Sequence, residues 1–216
     1  MVQGQEKSLL RVMMIDFELA SSIKGFMHDD EAVLLYQTSL KAAESGTLLE
    51  IGSYCGKSAY FIGLAAREKN AVLFSVDHHR GSEEQQKGQE YFDPDLFDEK
   101  AGRINTLPLF EETLKKTELE GTIVPIVAKS ATAGKMWSGP ISMLFIDGGH
   151  SIEDALEDYN VWGKHIVKNG FLVIHDIFSD PAEGGQAPRI VYEKAIDSGK
   201  YEKYAFEKTL GVLKRL

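Results

Sequence analysis

The sequence has little cysteine and no long apolar run. Its single cysteine, Cys55, excludes an internal disulfide and fits the reducing environment of the cytoplasm. Apolar stretches stay below the ~18 residues that a membrane-spanning helix requires. The first 20 residues lack the small-residue cleavage site of a secretory signal. We therefore expect a cytoplasmic protein with no membrane partner.

Positive charge is also scarce, with 24 Lys and Arg against 33 Asp and Glu and a formal net charge of -9. Proteins that bind nucleic acids usually carry a basic surplus because they neutralise phosphates, so no nucleic-acid partner is expected. The 216 residues show neither an internal repeat nor a low-complexity tract, and this length favours one domain.

Short, nearly continuous apolar runs alternate with amphipathic stretches along most of the chain. Such runs are typical of strands that are buried on both faces of a parallel sheet. They fall at 47–51, 71–76, 123–127, 141–146 and 171–174, and a hairpin around Gly211 adds two more strands. Pro125 marks the third run as an edge or interrupted strand. The pattern predicts an α/β fold with a doubly wound, mostly parallel sheet of seven strands.

The amphipathic stretches predict the helices between these strands. They fall at 58–68, 109–119, 151–167 and 190–196. Asn169 and Gly170 are expected to end the third of these helices, because residues of this kind commonly follow a helix C-terminus.

Two further segments flank or interrupt the predicted sheet. Residues 1–45 are helical in pattern, so we expect an N-terminal helical cap on a domain at 46–216, and such a segment could pack on a second copy in a homodimer. An irregular insertion at about 80–108 contains Tyr91, Phe92 and Phe97. A long insertion beside a parallel sheet is often a functional loop or lid.

A glycine-containing turn links the first predicted strand to the first predicted helix between Gly52 and Gly56. Glycine lets the backbone pass close to a ligand, and a helix N-terminus offers free N–H groups. The spacing of the two glycines is not that of a dinucleotide fingerprint, which makes an oxidoreductase the weaker alternative. Ile51 stands where a P-loop has its first glycine, so a phosphate cradle is disfavoured.

Asp77 ends the second predicted strand, 25 residues after Gly52. An acid at this place can accept both ribose hydroxyls of a nucleoside. Alone it could equally be a helix cap or part of a surface turn. Together with the turn at Gly52, it predicts a nucleoside site, and His78 directly follows it.

Two acids end the fourth and fifth predicted strands: Asp147 follows Ile146, and His175–Asp176 follows Ile174. If these two strands are neighbours, they lie ~4.8 Å apart, and the two carboxylates would face the same cleft and repel unless a proton or cation separates them. Oxygen ligands suit Mg²⁺, Mn²⁺ or Ca²⁺, and a nitrogen from His175 would shift the preference toward a transition metal. His150, three residues after Asp147, is a plausible general base.

The order of these features resembles the class I S-adenosylmethionine-dependent methyltransferases over residues 46–178. The block at 49–59 is similar to that of catechol O-methyltransferase and its relatives. The stretch 145–151, with His175 and Asp176, looks more like the small-molecule methyltransferases of macrolide and cephalosporin pathways. The resemblance implies a Rossmann-like methyltransferase fold and S-adenosylmethionine as cofactor.

The resemblance also implies which residues bind that cofactor. They are Glu50, Gly52, Ser53, Tyr54, Asp77, His78, Ser130, Ala131 and Asp147. The first four would surround the methionine portion and Asp77 would hold the ribose. Ser130 and Ala131 would flank the adenine.

For the reaction, the resemblance implies a divalent cation, Mg²⁺ or Mn²⁺, on Asp147 and Asp176, and the neighbouring His175 is predicted as a further ligand. His150 and Asp147 would be the catalytic residues, because His150 falls where relatives place a basic residue beside the acceptor hydroxyl. Two positions depart from the relatives: Ile177 replaces the asparagine ligand of catechol-type enzymes, and His175 replaces the acid of macrolide-type enzymes.

The first functional hypothesis is therefore a metal-assisted O-methyltransferase that acts on a small hydroxylated molecule. A metal-independent methyltransferase with His150 as base is one alternative, and a non-catalytic S-adenosylmethionine-binding module is another. The presence of Asp147, His150 and Asp176 favours an enzyme, because a pure binding module needs none of them.

Overall fold

The computed structural model describes residues 15–89, 91–149 and 151–216. The main sheet is built from seven strands: β1 (Leu48–Ile51), β2 (Leu73–Asp77), β5 (Ile123–Val127), β6 (Ile141–Ile146), β7 (Ile166–Ile174), β8 (Tyr201–Glu207) and β9 (Leu210–Arg215). Two short strands, β3 (Phe97–Asp98) and β4 (Arg103–Ile104), pair with each other outside it.

The strand order of the main sheet is β5-β2-β1-β6-β7-β9-β8. The first five strands in this order are parallel, whereas β9 pairs antiparallel with both β7 and β8. From β1 the chain moves outward to β2 and β5, and then returns to place β6 on the other side of β1. The direction of winding thus reverses between β1 and β6, which is where open α/β sheets bind ligands. The prediction of a doubly wound, mostly parallel sheet is confirmed.

Helices cover both faces of the sheet. They are α1 (Phe17–Ser21), α2 (Asp29–Ala43), α3 (Lys57–Glu68), α4 (Leu107–Lys116), α5 (Ser130–Met136), α6 (Ile152–Trp162) and α7 (Ala187–Asp197). One core joins α2, α3 and α4 to sheet residues such as Leu48 and Met143. A second core joins α6 and α7 to their neighbours Leu49 and Leu144. Successive strand residues point to opposite faces, so the central strands are apolar throughout.

Pro125 lies in β5, which is an edge strand of the sheet. Proline has no N–H for a ladder hydrogen bond, so it is tolerated where one side of the strand has no neighbour. The prediction of an edge strand at this place is confirmed.

The prediction that Asn169 and Gly170 end α6 is wrong. That helix ends at Trp162, a single 3-10 turn follows, and β7 already begins at Ile166. Asn169 has a φ of +65°, and the register between β6 and β7 is irregular beside it. The two residues therefore form a bulge inside a strand. A bulge and a helix stop both favour residues that tolerate positive φ, so the sequence signal is the same.

The predicted C-terminal hairpin is present, but its turn lies at Lys208–Thr209 and not at Gly211. Lys208 takes the positive φ of the turn, at +50°. Gly211 lies inside β9, where a Cβ atom would come within 2.5 Å of Ile177 and 2.7 Å of Tyr192. Glycine stands at this position because β9 packs closely against Ile177 and Tyr192, and not because the chain turns there.

The segment before β1 contains α1 and α2, and α2 shares the main core with α3 and the sheet. Residues 1–14 of the predicted cap lie outside the described residues, and the division into cap and domain stays a prediction. The insertion holds two 3-10 turns and the β3–β4 pair, and α4 begins at Leu107. Among the described residues, no helix is both long enough and apolar enough to cross a membrane.

Candidate active site

A cavity of about 530 Å³ opens at the carboxyl ends of β1, β2, β6 and β7. This is the size range of small-molecule sites and the place where the winding reverses. Ten of the predicted site residues line it: Gly52, Ser53, Tyr54, Asp77, His78, Ser130, Ala131, Asp147, His175 and Asp176. Glu50 does not line it, and His150 lies outside the described residues.

The turn after β1 is closely packed against the end of β6. Gly52 has a φ of +83°, and a Cβ atom there would lie 2.0 Å from the carbonyl oxygen of Asp147. Gly56, with a φ of +95°, precedes the first residue of α3. Only glycine fits at Gly52, so the turn brings the two strand ends together at the floor of the cavity.

Asp77 holds this turn closed. Its Oδ2 accepts hydrogen bonds from the backbone N–H groups of Ser53, at 3.0 Å, and Tyr54, at 2.9 Å. Its Oδ1 accepts from the backbone N–H of His79, at 2.7 Å. A carboxylate has about four acceptor positions, so one remains for a ligand in the cavity.

Glu50 lies behind the turn and is fully buried. Its carboxyl oxygens accept hydrogen bonds from Ser75, at 2.6 Å, and Ser58, at 2.9 Å. Burial raises the pKa of this carboxyl group to about 8 in spite of both hydrogen bonds. Because Glu50 does not line the cavity, its effect on a ligand would be indirect, through the position of the turn.

The opposite wall is formed by the N-terminus of α5 and by α6. Ser130 Oγ accepts a hydrogen bond from Trp162 Nε1, at 2.8 Å, and also contacts Asp158. Asp158 lines the cavity, and burial raises the pKa of its carboxyl group to about 6. Sequence reasoning missed Asp158. Its spacing could have revealed that it is buried, because Asp158 lies three residues after Ala155 and four before Trp162, on the apolar face of α6.

The histidines beside Asp77 differ in their surroundings. His78 lines the cavity and accepts a hydrogen bond from the backbone N–H of Arg80, at 3.0 Å. His79 is buried and pairs with Thr106 Oγ1 at 2.8 Å. Cys55 is also buried, and this raises the pKa of its thiol to about 12, so it is not an activated nucleophile.

At the other end of the cavity, His175 lies among three carboxylates. Its Nδ1 is 3.2 Å from Asp147 Oδ1 and 3.6 Å from Asp176 Oδ1, and its Nε2 is 3.2 Å from Glu31 Oε2. Burial opposes a charge on the imidazole, but Asp147, Glu31 and Asp176 outweigh it and raise the pKa of His175 to about 11. A proton or another cation must balance the negative charge here.

Three side chains of this cluster could hold a divalent cation. Asp147, His175 and Asp176 each offer one ligand atom, and these atoms lie within 4.8 Å of one another. Two carboxylate oxygens and one imidazole nitrogen suit Mn²⁺ and similar first-row metals. Glu31, which sequence reasoning missed, comes from α2, and no local pattern links it to a residue so distant in sequence.

Two segments outside the sheet close over the mouth of the cavity. Lys24 and Phe26 come from the loop between α1 and α2, and residues 81–85 come from the insertion. Lys24 forms an ion pair with Asp93 of the insertion. The ring of Phe26 lies 6.0 Å from that of Tyr54 and 6.5 Å from that of Tyr91. An aromatic cluster, formed by these three residues, thus stands at the entrance.

Comparison with known sequences gives a match to a family model and partial matches to curated proteins. A family model described as a methyltransferase domain matches residues 49–177, which is more than half of the chain. The chain is 35% identical over 69 residues to the uncharacterized protein R132 of Acanthamoeba polyphaga mimivirus. That match covers 31% of either chain, so the aligned part spans about a third of the relative.

Solved structures with the same fold include several methyltransferases. The O-methyltransferase TomG of Streptomyces achromogenes, involved in tomaymycin synthesis and solved with S-adenosylmethionine, matches with a TM-score of 0.62 and 13% identity over 88% of this chain and 81% of its own. An O-methyltransferase from Bacillus cereus in complex with S-adenosylhomocysteine (SAH) matches with a TM-score of 0.61 and 11% identity. This match covers 97% of this chain and 90% of the other. Cofactor-bound Rv0187 from MTB matches with a TM-score of 0.63 and 12% identity, over 97% of this chain and 89% of its own. At such identities the likeness shows the fold alone.

Proposed function

We propose that this chain, which belongs to the class I S-adenosylmethionine-dependent methyltransferases, transfers a methyl group to a hydroxyl of a small molecule with the help of a divalent cation. One observation carries the proposal: a single cavity joins the glycine turn and Asp77 at one end to Asp147, His175 and Asp176 at the other. A nucleoside site and a cation site within one cavity are what such a transfer requires.

The cofactor end offers groups that fit S-adenosylmethionine. Ser53 Oγ is buried and has no hydrogen-bond partner among the described residues, although Ser53 lines the cavity. A polar ligand beside the turn would satisfy it. Asp77 keeps one acceptor position for a ribose hydroxyl, and Ser130 and Ala131 line the opposite wall, where an adenine would lie. S-adenosylmethionine supplies an electrophilic methyl group when bound.

At the other end, Asp147, Asp176 and His175 would hold the cation, which would supply a positive charge that lowers the pKa of an acceptor hydroxyl. These three residues would thereby set the position of the acceptor relative to the cofactor. His150 stays the predicted general base, three residues after Asp147 in the sequence.

The entrance supports a small acceptor. Phe26 is 69% exposed and Tyr91 is 52% exposed, and the ring of Phe26 at the cavity mouth contacts those of both Tyr54 and Tyr91. Large exposed aromatics next to a cavity can cover an apolar ligand and exclude water from the reaction. The insertion and the loop before α2 would act together as the lid. The net charge of -9 disfavours a nucleic acid as acceptor.

Calorimetry with S-adenosylmethionine tests the cofactor half of the proposal. Asp77→Ala should weaken cofactor binding by about 1–3 kcal/mol, the range for hydrogen bonds to a charged group. Asp197→Ala, a change of an exposed acid in the last turn of α7, is the matched control and should bind as the wild type does. Because Asp77 also closes the turn, Asp77→Asn and a thermal melt separate lost binding from lost folding. Unchanged affinity in a folded Asp77→Ala protein would refute this assignment.

A screen of hydroxylated acceptors, with and without a chelator, tests the reaction. Turnover should fall on chelation and return with Mg²⁺ or Mn²⁺. Full turnover after exhaustive chelation would favour the metal-independent enzyme with His150 as base. Tight cofactor binding with no transfer to any acceptor class would favour the non-catalytic binding module.

A further inference from the structure

Glu31 is a buried carboxylate in the first turn of α2, with 1% of its surface exposed. A buried carboxylate is costly unless donors compensate for the lost water. Glu31 has four donors. Its Oε1 accepts from the backbone N–H and the hydroxyl of Thr209, at 2.9 and 2.7 Å. Its Oε2 accepts from the backbone N–H of His28, at 3.1 Å, and from His175 Nε2, at 3.2 Å.

These contacts divide into two groups. The contacts to His28 and Thr209 cap the first turn of α2 and attach this helix to the β8–β9 turn, so they stabilise the fold. The contact to His175 is not needed for that task, and it crosses 144 positions of the sequence to reach the cavity. Both oxygens of Glu31 are thus engaged, and one of them reaches the candidate cation site.

The contact also decides which nitrogen of His175 keeps its hydrogen. Because Glu31 Oε2 is an acceptor, Nε2 of His175 must be the donor. In a neutral imidazole with its hydrogen on Nε2, the free lone pair is on Nδ1. Nδ1 is the atom that faces Asp147, at 3.2 Å, and Asp176, at 3.6 Å. The ring is therefore already held in the orientation that a cation would need, and a cation bound there would replace the hydrogen on Nδ1 while Nε2 keeps its own.

We propose that Glu31 is a positioning residue of the cation site, holding His175 so that Nδ1 completes a ligand set with Asp147 and Asp176. This rests on the proposed function. Histidines that ligate metals almost always donate their other N–H to a carboxylate or a similar acceptor, and Glu31 has that place here. Helix α2 is then part of the cation site, and the nitrogen ligand makes Mn²⁺ a better occupant than Mg²⁺ or Ca²⁺.

The test measures Mn²⁺ binding, with free Mn²⁺ followed by electron paramagnetic resonance. Glu31→Gln keeps the side-chain volume but replaces one acceptor oxygen by an NH₂ group. Its affinity for Mn²⁺ should fall about 10- to 100-fold, the usual cost of losing such a partner. Its affinity for S-adenosylmethionine, measured by calorimetry, should stay within about twofold of the wild type, since Glu31 does not line the cavity.

Thr209→Ala is the matched control, because it removes one donor from Glu31 but leaves the contact with His175. Its Mn²⁺ affinity should equal that of the wild type.

If Glu31→Gln does not fold, Glu31→Asp provides a second variant, since its shorter side chain withdraws from His175. The wild type supplies a readout that needs no variant: in ¹⁵N-labelled protein loaded with Zn²⁺, His175 should carry its hydrogen on Nε2.

Three results would overturn the proposal. If Glu31→Gln binds Mn²⁺ as the wild type does while Asp147→Asn does not, the cation site stands and only the positioning role fails. A Zn²⁺-loaded protein with the His175 hydrogen on Nδ1 would lead to the same conclusion. Wild-type protein that binds S-adenosylmethionine but no Mn²⁺ would overturn both this proposal and the metal-assisted part of the proposed function.

Discussion

The two ends of the cavity are built in different ways. At the cofactor end, Asp77 is 24 positions from Ser53, and both belong to one strand–turn–helix–strand unit. At the cation end, Glu31 is 144 positions from His175, and the ends of β6 and β7 meet α2 and the C-terminal hairpin there. The glycine turn and Asp77 are therefore a local construction, whereas the cation end exists only when the whole sheet has formed.

This difference has a consequence for charge. At the cofactor end the acids are satisfied by the backbone or by hydroxyl groups, as Asp77 is by the turn and Glu50 is by Ser58 and Ser75. At the cation end, three carboxylates surround one imidazole, and hydrogen bonds from His175 and Thr209 outweigh burial to lower the pKa of Glu31 to about 2. We infer that cofactor binding depends mainly on the turn, and cation binding mainly on long-range packing.

The largest expected effect comes from Gly52→Ala, which would force the two ends apart. The new Cβ atom would lie 2.0 Å from the Asp147 carbonyl oxygen, and the φ of +83° disfavours alanine as well. We expect a loss of roughly 4 kcal/mol or more in the free energy of unfolding, together with loss of cofactor binding. Chemical denaturation and calorimetry measure both quantities.

Gly102→Ala is the control for this change. Gly102 has a φ of +63°, but a Cβ atom there would meet nothing within 4 Å. It should cost only the backbone strain, about 1–2 kcal/mol, and leave cofactor binding unchanged. Equal losses in both variants would show that the contact between the turn and β6 is unimportant.

The contrast between the two ends also explains what the sequence could reveal. The strands of the sheet and the residues from Gly52 to Asp77 were predictable, because short apolar runs and a glycine turn are local patterns. Glu31 was not, because a single acid in the first turn of a helix ordinarily serves the helix dipole. Its second task depends on where β7 and the hairpin lie, and no local pattern encodes that.

At the cofactor end, the buried carboxyl group of Asp158 should make the free energy of unfolding depend on pH. Burial raises the pKa of its carboxyl group from 3.8 to about 6, so the folded protein holds this proton more tightly than the unfolded chain does. The contribution of Asp158 to stability should therefore decrease by roughly 2 kcal/mol as the pH rises from 4 to 7. Asp158→Asn cannot titrate and lacks this contribution.

The measurement is the free energy of unfolding of both proteins across that pH range. The difference between wild type and Asp158→Asn should change in the stated direction. Glu153→Gln, an exposed change on the same helix, is the control for altered net charge and should follow the wild type. If the free energies of unfolding of the wild type and Asp158→Asn differ by the same amount at every pH, burial does not raise the pKa of Asp158.

The smallest expected effect concerns the lid that spans both ends. Lys24 pairs with Asp93 and lies 3.6 Å from Asp95, and so joins the loop before α2 to the insertion. Both Lys24 and Asp93 are partly exposed, so Lys24→Ala should change global stability by less than about 1 kcal/mol. Hydrogen exchange in residues 82–96 should nevertheless become faster, because the lid loses its anchor. Lys69→Ala, which breaks an ion pair with Glu44 on another surface, should leave exchange in that segment unchanged.

The most direct test of the account is a transfer experiment with S-adenosylmethionine that carries a labelled methyl group, in a cell extract supplied with Mn²⁺. We predict that the label enters the small-molecule fraction with the wild type. It should fail to do so with Asp147→Asn, or after a chelator is added. Label that enters protein or RNA and nothing in the small-molecule fraction would contradict the account.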